Sequence, residues 1–392
     1  MKARISSSSS TTAHRWSARW KKAAVRSRAG ARRLRRVFRS PPPSAPYHSL
    51  STRPLVLHVK DWAFDGAHQP VYGLLSELEA QPTLLLYSPS WFLKRDAQFE
   101  RIRRVEAKVR ALNSALQFIV LAPTRQQSQA LRERQLTAIH CNQNAFVDEG
   151  IFRPLETVIG RFNAVYDARF APYKRHELAV TVDRLALITY RKDTDRRAER
   201  SYSRTVERRL ASSHFFNGFG RNYQFLEPRG LNLALNQCRV GLCLSEREGT
   251  MWASVQYLLA GLRVVTTPSN GGRDEFFDSE YVEVVAPRTD AVAAGVRRQV
   301  LLDQPAPMEI HDRTVAGMQS HRERLFSAVQ AYFSKVGEDR IFREDWPTVF
   351  RHQLFDNRLF GHDQAGAIER LNHQTAGAVK AGKPFVATDG KP

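Results

Sequence analysis

The sequence predicts an α/β protein made of two doubly wound units that face each other across a cleft. Three observations carry this. Apolar runs of strand length recur along the chain, and each is followed by a polar turn or an amphipathic helical pattern. The alternation pauses near residues 150–180 and then restarts. At 392 residues the chain has room for two domains of ordinary size.

In chain order, Leu55–Val59, Thr83–Tyr87 and Gln117–Leu121 are apolar runs of strand length. Between the second and third, Asp96–Ala115 spaces Phe99, Ile102, Val105, Val109 and Leu112 three or four apart, the period of an amphipathic helix. The second series begins with Leu185–Tyr190 and continues with Val240–Ser245. A helix over Met251–Ala260 follows, stopped by Gly261, and then come strands at Leu262–Thr267 and Tyr281–Val285. A long helical stretch covers 312–335. The expected division is a basic tail over 1–52, a first unit over 53–178, a second over 179–340, a closing helix over 341–360 and a flexible tail over 361–392.

The formal charge of +21 suggests a polyanion binder until it is located. Residues 1–53 hold 14 Lys and Arg and no acid, which leaves 46 basic against 39 acidic residues in the rest. The body therefore needs no nucleic-acid partner. The arm offers only Trp16, Trp20 and Phe38 for base stacking, too few for single-strand binding. Residues 1–46 are Ser-, Arg- and Ala-rich and too poor in large apolar groups to order themselves. An inert tail, contact with an anionic membrane surface, and organelle targeting are the three readings of that composition. No run approaches the ~18 apolar residues of a spanning helix, and the chain is expected to be cytoplasmic or membrane-peripheral. Cys141, Cys238 and Cys243, an odd number at irregular spacing, suit neither a disulfide framework nor a zinc site.

The segment most charged with chemistry is Ser245-Glu246-Arg247-Glu248-Gly249-Thr250. It lies where a parallel strand hands over to a helix, the place at which open α/β sheets bind ligands. Glu248 offers a carboxylate to sugar hydroxyls, Gly249 permits close backbone approach, and Gln256 follows on the helix. Tyr173-Lys174-Arg175-His176 reads as a basic linker between the units, able to touch phosphate or acceptor but more simply solvated. His58 and His140 stand near strand ends that should face the cleft, as acceptor-side bases.

Taken together these stretches resemble the retaining GT-B glycosyltransferases of family 4. The matching residues are Ser245-x-x-Glu248-Gly249, Gln256 eight positions on, Ala260-Gly261-Leu262-Arg263-Val264-Val265 and Gly271-Gly272-Arg273-Asp274-Glu275. Upstream, Asn144-Ala145-Phe146-Val147-Asp148 with Phe152-Arg153-Pro154 is similar to the family's interdomain segment. Arg191 and Arg196, after the strand at 185–190, resemble its Arg-x-x-x-x-Lys pair. The resemblance implies a GT-B fold of two Rossmann-like domains and transfer of a sugar, with retention, from a nucleotide-diphosphate-sugar donor to a glycan or glycolipid acceptor. It implies that Glu248, Arg191 and Arg196 are catalytic, and that Lys192, Gly249, Thr250, Gln256 and Arg273 bind the donor. It also implies that no metal is required. The chain departs from the pattern at Gln256 in place of Glu, Arg263 in place of Pro, Arg196 in place of Lys and Ala145 in place of Gly. A non-catalytic nucleotide-sugar or glycan binder on the same fold is the alternative.

Overall fold

The computed structural model describes residues 47–64, 70–78, 81–156, 160–190, 197–218 and 222–349. Among the described residues two sheets are present, of five and six strands. The expected basic arm (1–46) and the flexible tail (361–392) lie outside the described residues.

In the first sheet β1 (Tyr47–Thr52), β2 (Leu55–Lys60), β3 (Thr83–Ser88), β4 (Leu116–Ala122) and β5 (Ala138–His140) lie side by side in chain order. β1 pairs antiparallel to β2, and the remaining pairings are parallel. The connections carry α1 (Pro70–Glu77), α2 (Asp96–Leu112) and α3 (Arg125–Glu133). α2 buries Phe99, Ile102, Val105 and Val109, the stripe its period predicts.

Because the strand order never reverses, the sheet winds in one direction, and its two faces are covered differently. Alternation along β2 sends Leu55, Leu57 and Val59 into one core with Phe99, Ile102 and Phe118. Val56, like Leu84 and Leu86 of β3, joins the other core with Phe146 and the second unit. That face is closed by the linker and by the C-terminal helices, which explains how a unit this short can be stable.

The second sheet has the order β11-β10-β9-β6-β7-β8, all parallel. Its strands are β6 (Phe162–Asp167), β7 (Leu185–Ile188), β8 (His214–Phe215), β9 (Cys238–Cys243), β10 (Arg263–Thr266) and β11 (Val282–Val284). The helices are α4 (Arg197–Arg209), α5 (Pro228–Leu235), α6 (Trp252–Leu259), α7 (Thr289–Val300), α8 (Pro307–Lys335) and α9 (Phe342–Val349). The chain builds outward from β6 to β8, then returns to the other side of β6 with β9. This sheet is doubly wound, and its order reverses between β6 and β9. The first sheet, expected to be doubly wound as well, is not, because its strand order never reverses.

Two expected boundaries move. Tyr47–Thr52, assigned to the tail, forms β1, whose Tyr47 and Leu50 are buried. β6, assigned to the first unit by the boundary at 178, is the central strand of the second. Its sequence Phe-Asn-Ala-Val-Tyr-Asp carries polar residues at Asn163 and Asp167 and gives no continuous apolar run. Among the described residues no helix is long and apolar enough to cross a membrane.

Candidate active site

The reversal between β6 and β9 leaves a crevice beyond the carboxyl ends of those strands, since their connections leave in opposite directions. The residues that follow the two strands meet there. After β6 the chain turns through Arg169 and a 3-10 turn at Pro172–Lys174. After β9 it runs through Ser245 to Glu248. Lys174 Nζ donates to Glu248 Oε1 in an ion pair whose side chains are only 10% and 8% exposed.

Both sides of this pair are held firmly. The Lys174 carbonyl accepts from the buried Tyr166 hydroxyl. Arg175 adopts the left-handed conformation at φ 51°. Its guanidinium donates to Leu244 O (2.7 Å) and Thr267 Oγ1 (2.8 Å), which ties the turn to the ends of β9 and β10. Arg169 Nη2 donates to Glu199 Oε1 of α4 at 2.7 Å. On the other side the loop 246–249 is zipped to 270–272. Glu248 N donates to Asn270 O (3.0 Å), Asn270 N to Glu246 O (3.2 Å) and Gly272 N to Gly249 O (2.7 Å). Gly271, at φ 121°, makes the zip possible, because a Cβ there would lie 1.6 Å from Glu248 O.

Asp167 closes the floor. It is buried at the end of β6, where Tyr190 Oη donates to its Oδ2 at 3.1 Å. Its backbone N–H donates to the Tyr257 hydroxyl at 2.6 Å. Burial pushes its carboxyl up to about 7, against the opposing pull of Tyr190 and Lys174. Burial also pushes the Tyr173 phenol up to about 12, with Glu248 adding to the effect.

The first unit covers this crevice. The Ser90 carbonyl lies so close to Gly249 that a Cβ there would approach it to 2.3 Å. The Trp91 ring meets that of Tyr173 edge-on at 5.4 Å. Lys60 Nζ sits 4.7 Å above the Trp252 ring, and Asn142 Nδ2 donates to Gly272 O at 2.7 Å.

Of the residues expected from the sequence, Glu248, Gly249 and Thr250 stand at the crevice. Gln256 is buried within α6, but that helix begins only at Trp252. Glu248 is therefore a loop residue and shares no helix face with it. Arg191, Lys192 and Arg196 lie outside the described residues.

Two expectations are corrected, those for Arg273 and His58. Arg273 is 1% exposed and spends its guanidinium inside the second unit. It donates to Cys243 O, Ser245 O, Thr266 Oγ1, Thr267 O and the Asp274 carboxylate, so it ties strand ends together and has nothing left for a donor. His58 is fully buried on β2, with Nε2 2.7 Å from Ser88 Oγ and its ring edge-on to Phe146. Burial lowers its pKa well below the usual imidazole value, so it is a neutral core residue and no acceptor-side base. His140 ends β5 with Nε2 2.7 Å from Glu275 Oε1, engaged across the interface between the units.

Glu275 also lies 3.6 Å from Nε2 of His321 on α8, and the three side chains could suggest a metal centre. The hydrogen bonding argues otherwise. Asn142 N donates to His321 Nδ1 at 3.1 Å, so the neutral ring carries its proton on Nε2 and has no lone pair there for a metal. Burial lowers the His321 pKa to about 3, which keeps that ring neutral. The three cysteines are buried, and burial raises all three thiols, Cys141 and Cys243 to about 12.

Lys174, read from the sequence as part of a solvated basic linker, is instead buried. Arg169-x-x-x-x-Lys174 has the spacing that the resemblance assigns to a cationic pair after a strand, and it directly follows β6.

No protein-family model matches this chain, and no curated protein does. Solved structures resemble it in backbone course. HepE from Anabaena, in complex with UDP, is 14% identical with a TM-score of 0.48, over 67% of this chain and 76% of that one. Sucrose-phosphate synthase from Thermosynechococcus elongatus is 15% identical at 0.47, over 75% and 74%. The pneumococcal O-GlcNAc transferase GtfA, in complex with UDP and GlcNAc, is 11% identical at 0.47, over 67% and 59%. At identities and scores this low the likeness says nothing of substrate or activity.

Proposed function

We propose that the chain is a glycosyltransferase that moves a sugar, with retention, from a nucleotide-diphosphate-sugar to a glycan or glycolipid acceptor. The observation that supports this most is the meeting of Lys174 and Glu248 at the point where the second sheet reverses its strand order. That point takes a ligand by topology, and these two side chains suit the two halves of such a donor. Glu248 would accept hydrogen bonds from hydroxyls of the transferred sugar. Lys174, with Arg169 behind it, would face the diphosphate.

The bond that breaks joins sugar to phosphate, so negative charge gathers on the leaving diphosphate in the transition state. A cation and N–H donors fixed beforehand in a covered crevice stabilise that charge more than they stabilise the ground state. Lys174 is fixed in this way by its own carbonyl bond and by the Arg175 tether. The contacts of Ser90 and Trp91 with the second unit would keep water from the reacting centre. Charge stabilisation by Lys174 and Arg169 makes transfer metal-independent, so activity should persist in EDTA.

The test is a thermal-shift panel of UDP, GDP, ADP and TDP, followed by assays of donor consumption. A diphosphate should raise the melting temperature, and Glu248→Gln, whose amide oxygen can still accept from Lys174, should lower transfer strongly while the fold is kept. Stabilisation without turnover of any donor would leave the binding-protein alternative. No stabilisation by any diphosphate would refute both.

A further inference from the structure

We propose that Trp91 and Trp62 form the acceptor subsite, an aromatic platform that stacks against the apolar face of a pyranose ring. This rests on the transferase function proposed above and names the chemistry of its second substrate.

The two indoles are 42% and 41% exposed, a large apolar area to leave in water. They sit on neighbouring loops of the first unit. Trp62 lies in the 3-10 turn Asp61–Phe64 that follows β2, and Trp91 lies just beyond the end of β3. The loops are tied to each other, since the Ser90 hydroxyl donates to Asp61 Oδ1, and Arg101 Nη2 donates to Asp61 O at 3.4 Å. The Ser90–Asp61 bond holds the two loops that carry Trp62 and Trp91 together.

Its position selects the occupant. Trp91 touches Tyr173, the residue next to Lys174, and Ser90 lies against Gly249, the residue next to Glu248. A ring stacked on Trp91 would lie beside the carboxylate proposed to hold the transferred sugar, on the side contributed by the opposite unit. Pyranoses present C–H groups on one face and hydroxyls at the rim. An indole offers a π face to the first and an N–H donor to the second. Lys174 and Arg169, the cations proposed to face a diphosphate, come from the second unit, so the donor does not compete for this surface.

The experiment titrates methyl α-glucoside, methyl α-mannoside, methyl β-galactoside and N-acetylglucosamine into the 392-residue chain. A stabilising nucleoside diphosphate is present at saturation, and tryptophan fluorescence is followed. At least one sugar should give a saturable change. Trp91→Ala should weaken that binding about tenfold and Trp91→Phe less than about threefold, with diphosphate affinity unchanged. If Trp91→Ala does not fold, Trp62→Ala replaces it with the same expected direction. Diphosphate binding without any sugar response overturns the platform and leaves the transferase function standing. Loss of diphosphate affinity in Trp91→Ala assigns the ring to the donor and also overturns it. Absence of diphosphate binding in the unaltered protein removes the proposed function itself, and the platform with it.

Discussion

Lys174 and Glu248 show what a buried ion pair does to a mutational test. Removing one partner leaves the other charge desolvated, which costs about 3–5 kcal/mol. An alanine variant would therefore lose activity for structural reasons alone. Lys174→Gln separates the effects, since its amide can still donate to Glu248 while the positive charge is gone. The expected outcome is a melting temperature above that of Lys174→Ala and a rate lower by ~10²–10³. A rate within tenfold of the original would remove Lys174 from the chemistry. Asp167 makes a prediction of the opposite kind. Its carboxyl is raised from 3.8 to about 7, so the folded protein holds a proton there that the unfolded chain releases at lower pH. The folded state binds more protons than the unfolded one between those values, and the stability from this group falls as pH rises from about 4 to about 7. Asp167→Asn should flatten that part of the melting-temperature profile. It should melt higher than the unaltered protein at pH 8, with the gap closing towards pH 4.

At the scale of elements, what could be read in the sequence follows burial. Strands covered on both faces give unbroken apolar runs, and β2, β3, β4, β7, β9 and β10 were legible for that reason. β1 is an edge strand of sequence Tyr-His-Ser-Leu-Ser-Thr, and its pairing with β2 comes from a tertiary arrangement that no local pattern announces. β6 carries Asn163 within it and ends in Asp167, so its polar residues broke the apolar run that marks the other strands. Arg169 and Lys174, which follow β6, were therefore not weighed as a cationic pair, and Arg191 and Arg196 lie outside the described residues. The loop 245–249 was legible because its residue types and spacing carry chemistry directly. The loop zip also yields a prediction. Gly271→Ala would force its Cβ into the Glu248 carbonyl and bring a strained φ. It should part the two loops, abolish diphosphate-induced stabilisation and change far-ultraviolet circular dichroism little. Retained diphosphate binding would show that the zip does not shape the site.

For the whole molecule, the one-way winding of the first sheet has a thermodynamic consequence. One face is covered by the unit's own helices, but the other is covered by Phe146 of the linker and by aromatic residues from the C-terminal helices. Phe146 lies 6.0 Å from Trp346, which lies 5.0 Å from Phe326, and Phe342 joins both. Arg322 of α8 adds polar ties to the same linker, donating to Ala145 O at 2.7 Å and to the Glu149 carboxylate. The first unit should therefore be unable to hold its fold once this cluster is loosened, while the second keeps its own doubly wound core. Phe342 is the residue to test, being fully buried and in contact with Phe326, Phe333 and Trp346. Phe342→Ala should cost about 3–5 kcal/mol at the cluster. Calorimetry should then show the single transition of a coupled molecule divide in two, with the first unit melting earlier. Hydrogen exchange would place the early loss in β2–β4, with β6 and β9 still protected. A single transition shifted downward as a whole would mean that contacts such as Asn142 with Gly272 and His140 with Glu275 suffice to couple the units without the aromatic cluster.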